Sequence, residues 1–290
     1  MCNKFLAICV SILSIGVCPL AAQSFDPGCA LPPQLDQLKQ PRQIDKQCSI
    51  DGNAPEAPHI LQNRQKNNFC ATGSPMTLTR DTFARLQSAA QAKHVKFGDR
   101  NDLPPDRTPL QKIITEQGAP IGEGTLVQYV AFISEARHSN VSSGESVNCN
   151  KRGAAKNDIH LDLNMSLDEE SCQSVTAEMS PHFRPDSWFR LAGTGSVKKQ
   201  ESPLGSHPVR VRGPLFFDAS HVPCTPDHDA NPARLSLWEI HPVYAIDVCS
   251  ETSIADCKIA DELPPRKRTA RYSRRFRTLG VLLMYATGVS

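Results

Sequence analysis

The feature that most constrains this chain is the alternation of side-chain character across residues 127–248. Over 158–164, Ile159, Leu161 and Leu163 point one way and Asp158, His160 and Asp162 the other. A period of two marks a β-strand with two chemically distinct faces. Val175, Ala177 and Met179 repeat the pattern with Thr176 and Glu178 opposite, and a turn over 166–172 predicts that these two runs pair as a hairpin. Three further runs are of β type. Val127, Tyr129, Ala131 and Ile133 lie in one that is apolar on both faces for part of its length. Over 208–217, Val209 and Val211 oppose Arg210 and Arg212, and Gly213 with Pro214 predicts a bulge or bend. In the last run Trp238, Ile240, Tyr244, Ile246 and Val248 share a face, and Pro242 places the strand at an edge or a bulge.

Between the third and fourth runs, Trp188, Phe189 and Leu191 predict a short helix after Asp186. Three strands, a short helix and two more strands is the order of an OB-fold, a five-stranded Greek-key barrel. The expected fold is therefore mainly β, with a small helical N-terminal part and an OB-fold-like five-stranded barrel over 122–250. The phrases KNNFCATG, GEGTLVQYVAFISEA, ESVNC, DIHLDL, VTAEMSPHFRP, VRVRGPLFFDASH and WEIHPV resemble a group of uncharacterised exported bacterial proteins in which an OB-fold-like barrel recurs. The resemblance covers about residues 67–249, and WEIHPV is its most specific part. It implies a barrel and an envelope location, and it supplies no catalytic residues.

Ahead of the barrel, Lys4 precedes an apolar run from Phe5 to Val17, followed by Pro19 and the small residues Ala21, Ala22 and Ser24. That layout predicts a secretory signal peptide over 1–24, since about 20 apolar residues are needed to span a bilayer. Its removal leaves eight of eleven cysteines: Cys29, Cys48, Cys70, Cys149, Cys172, Cys224, Cys249 and Cys257. An even count in an exported chain, with no C-x-x-C pair, points to disulfides rather than a thiolate metal site. The spacing fixes no connectivity, although Cys249 and Cys257 are placed to close a short loop. The expected location is periplasmic or secreted, with no membrane span in the mature chain.

Residues 25–68 are rich in Pro, Gln and Asp without a sustained period, and read as an extended wrapping segment with little chemistry. Residues 69–121 read as a helical segment packing on the barrel. Thr79 is placed as an N-cap with Phe83, Leu86 and Ala90 on one face, predicting a helix over 80–92. Leu110, Ile113 and Ile114 predict a second, shorter helix over 108–116. The tail, 251–290, carries seven basic residues between Arg266 and Arg277; after Asp261 it reads as a disordered appendage, the alternative being a basic arm for anionic lipid or nucleic acid.

The candidate chemistry divides in two. Asp158 and His160 with His241, Glu239 and Glu178 are the residue types that bind one divalent metal ion and activate a water for phosphodiester hydrolysis. The plainer, structural reading makes the same polar rows a solvated outer face of the barrel or else a buried structural network, with no cofactor and no catalytic residues. Arg210 and Arg212 with Tyr129 and Trp188 are candidates for a binding face. A net charge of +2 and few aromatics disfavour nucleic acid as the partner. The sequence contains no G-x-S-x-G, H-E-x-x-H or P-loop motif. The leading expectation is a non-enzymatic, disulfide-braced envelope module that binds an oligosaccharide, a peptide or another envelope protein. The alternative is a metal-dependent hydrolase.

Overall fold

A computed structural model describes residues 24–30, 42–98, 103–193 and 199–258 of the chain. The signal peptide predicted over 1–24, apart from Ser24, and the basic tail from residue 259 lie outside the described residues. In chain order the strands are β1 (Met76–Thr77), β2 (Ile114–Glu116), β3 (Ala119–Ile121), β4 (Leu126–His138), β5 (Ile159–Asn164), β6 (Val175–Met179), β7 (Lys199–Glu201), β8 (Val209–Phe217), β9 (Trp238–Ile240) and β10 (Ala245–Val248). The α-helices are α1 (Ala57–Lys66), α2 (Arg80–Ala92) and α3 (Asp186–Phe189).

Strands β4, β5 and β6 form an antiparallel meander. β6 pairs in parallel with β9, β9 pairs antiparallel with β8, and β8 returns antiparallel to β4. The five strands thus close into an OB-fold-like barrel, with α3 between its third and fourth strands. The alternating apolar residues account for the closure. Ile159, Leu161, Leu163, Val175, Ala177, Met179, Leu215, Phe217, Trp238 and Ile240 are almost completely buried in one cluster. Each of the larger side chains contributes about 1.5–3 kcal/mol by leaving water. Helix α2 adds Phe83, Leu86 and Ala90 to that cluster, and the Thr79 hydroxyl caps its first turn by accepting from the Thr82 amide.

Three expectations change. The predicted helix over 108–116 is a single 3-10 turn, Thr108–Leu110, followed by the β2–β3 hairpin. Gln117 and Gly118 both sit at positive φ, 47° and 79°, as a two-residue hairpin turn matching strand twist requires. The last predicted run is two strands. β8 pairs with β9 through Leu215–Phe217 and with β10 through Val209–Arg212, the change of partner falling at Gly213 and Pro214. A Cβ at Gly213 would lie 2.5 Å from the Pro242 carbonyl oxygen, so the crossing backbone needs glycine there. Finally, the Pro- and Gln-rich segment is not all extended. It contains α1, with Pro58 in the first turn, where its missing N–H costs no hydrogen bond.

All eight predicted cysteines are bridged: Cys29–Cys70, Cys48–Cys149, Cys172–Cys224 and Cys249–Cys257. Cys48–Cys149 ties the N-terminal segment to the β4–β5 loop, and Cys172–Cys224 ties the β5–β6 turn to the β8–β9 loop. Four bridges place the chain in an oxidising compartment. Among the described residues no helix is long and apolar enough to cross a membrane.

Candidate functional site

With Ile159, Leu161 and Leu163 inside the barrel, Asp158, His160 and Asp162 must lie on its outside, and strand register fixes their neighbours. His160 pairs with Glu178 across β5–β6, and Thr176 pairs with Glu239 across β6–β9. The polar row is not solvated. Asp158, His160, Asp162, Glu178, Glu239 and His241 are all at most 5% exposed, which overturns the expectation of a wet outer face. Residues of α1, of the β4–β5 loop and of the β8–β9 loop stand around this face. Phe216 backs it, with the His241 ring edge-on at 5.6 Å and the Lys66 ammonium 5.8 Å from its centroid.

Charges this deep persist only if paired and hydrogen-bonded. The His160 ring has Glu178 Oε1 3.2 Å from Nδ1 and Asp162 Oδ1 2.8 Å from Nε2. An imidazole with a carboxylate at each nitrogen donates at both, and so carries a proton on each. Burial opposes that charge, but the hydrogen bonds to Asp162 and Glu178 prevail and raise the His160 pKa above its ordinary value. The other oxygen of Asp162 accepts from Arg137 at 2.9 Å. Against burial, His160 and Arg137 hold the Asp162 carboxyl below the usual range.

Glu178 is the hub. Its Oε2 lies 3.1 Å from His241 Nδ1 and 3.7 Å from Lys66 Nζ. Burial works against the carboxylate, yet Lys66 and the two histidines hold it well below the usual range. Burial likewise opposes the His241 cation, but Glu178 and Glu239 push its pKa up to about 10. Glu239 is in turn paired with Arg234, whose guanidinium also lies 3.8 Å from Asp218 Oδ2. Asp158 behaves oppositely. Burial, reinforced by the charge of Glu145, pushes its carboxyl up to about 8, and Asn148 Nδ2 donates to it at 3.4 Å.

Above this network opens a cleft of about 610 Å³. His160 and Glu178 line it from the barrel, Gln62, Asn63 and Lys66 from α1, Arg137 and residues of the β4–β5 loop from one side, and Ser220, His221, Asn231 and Arg234 from the other. Among the described residues that line it there is no Phe, Tyr or Trp. The cleft therefore lies over the second and third barrel strands, between the loop joining the first two and the loop joining the last two. OB-folds bind ligands on that surface.

The predicted binding quartet does not gather there. Arg210 and Arg212 both reach Asp247, at 3.3 and 3.1 Å, on the part of β8 that pairs with β10. Tyr129 and Trp188 are buried in the apolar cluster. The predicted metal set does converge, in part: one ligand atom each from Asp158, Glu178 and His241 lies within 4.8 Å of the others. His160 is excluded because both its nitrogens already face carboxylates. Sequence reasoning missed Lys66, Arg137, Asp218 and Arg234. Lys66 opens the phrase KNNFCATG, the one signal that pointed to it.

Comparison of the chain with protein-family models, with curated proteins and with solved structures returns no match.

Proposed function

We propose that this chain is an exported module of the bacterial envelope, periplasmic or secreted, whose OB-fold barrel binds an oligosaccharide in the cleft over β5 and β6. The position and lining of that 610 Å³ cleft carry the reading. Its charged side chains are already engaged with one another: Lys66 with Glu178 and Glu145, Arg137 with Asp162, and Arg234 with Glu239. An anionic polymer gains little from cations neutralised in this way. What remains are amides and hydroxyls such as Asn150, Asn231, Ser139 and Ser143, which both donate and accept, as sugar hydroxyls do. The missing stacking side chains also speak against single-stranded nucleic acid.

Binding is favoured over hydrolysis because a catalytic ion needs an open coordination position. Of Asp158, Glu178 and His241 only Glu178 lines the cleft, so the other two lie beneath its floor rather than toward a ligand. The reading is tested by titrating the disulfide-intact protein against a panel of neutral and acidic oligosaccharides by calorimetry. Saturable binding to a saccharide, weakened by Asn231→Ala, supports it. Binding of single-stranded nucleic acid with no saccharide binding contradicts it.

A further inference from the structure

Beneath the cleft, three buried side chains from three neighbouring stretches of the barrel approach one another. Asp158 sits immediately before β5, Glu178 is in β6 and His241 follows β9. His241 Nδ1 and Glu178 Oε2 are 3.1 Å apart, yet neither is aligned as a hydrogen bond, and neither has another hydrogen-bond partner. With no hydrogen bond between them, the two atoms are arranged as ligands aimed at a common third point once an ion displaces the imidazole proton. Ligands about 2.0–2.2 Å from one ion have such a separation. Asp158 Oδ2 and Glu239 Oε2 are likewise buried without a hydrogen-bond partner, and Glu239 Oε2 lies 3.7 Å from His241 Nδ1.

We propose that Asp158, Glu178 and His241 form a divalent-cation site that pins β5, β6 and β9 together beneath the cleft floor. One imidazole and two carboxylates suit a borderline transition ion, zinc foremost, over calcium or magnesium, which favour all-oxygen sets. The role is structural. The ion braces the parallel β6–β9 seam, which has only two Cα pairs, Thr176 with Glu239 and Ala177 with Ile240. The site stands whether or not the cleft takes a saccharide.

The test uses the disulfide-intact protein, stripped with chelator and titrated with zinc chloride. Calorimetry is expected to show one ion per chain, with a matching rise in melting temperature as ligand linkage requires. Asp158→Asn and His241→Gln are each expected to weaken binding by about tenfold or more, whereas His94→Ala, at an exposed position just after α2, leaves it unchanged. Should the ligand variants fail to fold, the visible spectrum of wild-type protein loaded with cobalt decides. A strong four- or five-coordinate spectrum supports the site, and the weak spectrum of a hydrated ion overturns it. No saturable binding, or binding that survives both Asp158→Asn and His241→Gln, also overturns it.

Discussion

The two faces of β5 are equally buried and held by opposite physics. Its inner face, Ile159, Leu161 and Leu163, is dry because apolar groups fill the barrel. Its outer face, His160 and Asp162 with Asp158 just before the strand, is scarcely more exposed, yet it is held by hydrogen bonds between charged groups: His160 lies between Glu178 and Asp162. Burial on the inner face is non-directional and tolerates substitution of similar volume. On the outer face each charge depends on a specific partner, and deletion of one partner strands the next. The difference locates function: a protein that needed only a stable barrel would cover that face with apolar side chains.

The largest effect expected comes from breaking the outer network while keeping volume. Arg234→Met leaves Glu239 and Asp218 without their guanidinium, and urea denaturation should show a loss of about 3–5 kcal/mol. On the inner face, Leu161→Ala should cost about 3 kcal/mol, the usual consequence of a buried cavity. If Arg234→Met cost less than Leu161→Ala, the outer face would not depend on its pairs. Replacing Cys48 and Cys149 together by Ser should cost about 2–4 kcal/mol, since their bridge closes a loop with a sequence separation of 101. Hydrogen exchange should localise part of that loosening to α1 and the β4–β5 loop, the cover over the polar face.

Proton linkage separates the faces again. In the chelator-treated protein, His241 has a folded pKa raised to about 10 by Glu178 and Glu239. Its contribution to stability is fully present below the unfolded value of about 6.5 and is lost as pH rises through the folded one. On the acid side, Glu178, Asp162 and Asp218 are held below the usual carboxylate range. Their contribution is present above about 4 and is lost as pH falls through their lowered values. Denaturation midpoints across pH should therefore fall on both flanks, and His241→Gln should flatten the alkaline flank. The smallest change belongs to the exposed Arg64–Asp51 pair: Arg64→Ala should shift stability by less than about 1 kcal/mol.

The barrel was legible because alternation reports which side chains share a face, and strand order then restricts how the faces close. What covers a face is not encoded in its own residues. His160 and Asp162 read the same whether water or α1 lies above them, so the polar row looked solvated. Lys66 was hidden for a related reason: α1 is a polar helix in Pro- and Gln-rich surroundings, and it shows no apolar stripe to betray it. The 108–116 segment misled because Leu110, Ile113 and Ile114 satisfy helical spacing over too short a span, and Gln117 gave no sign of its positive φ. Arg234 and Asp218 lie on either side of a long loop, and only its return brings them to the same carboxylate network.

The most direct measurement of the central claim, that the outer face of β5 and β6 is a buried network of paired charges, is imidazole NMR of the chelator-treated protein across pH. His160 and His241 are expected to titrate above the ordinary value of about 6.5, with His160 protonated at both nitrogens. Titration of both rings at the ordinary value, with ring protons exchanging freely with water, would contradict it.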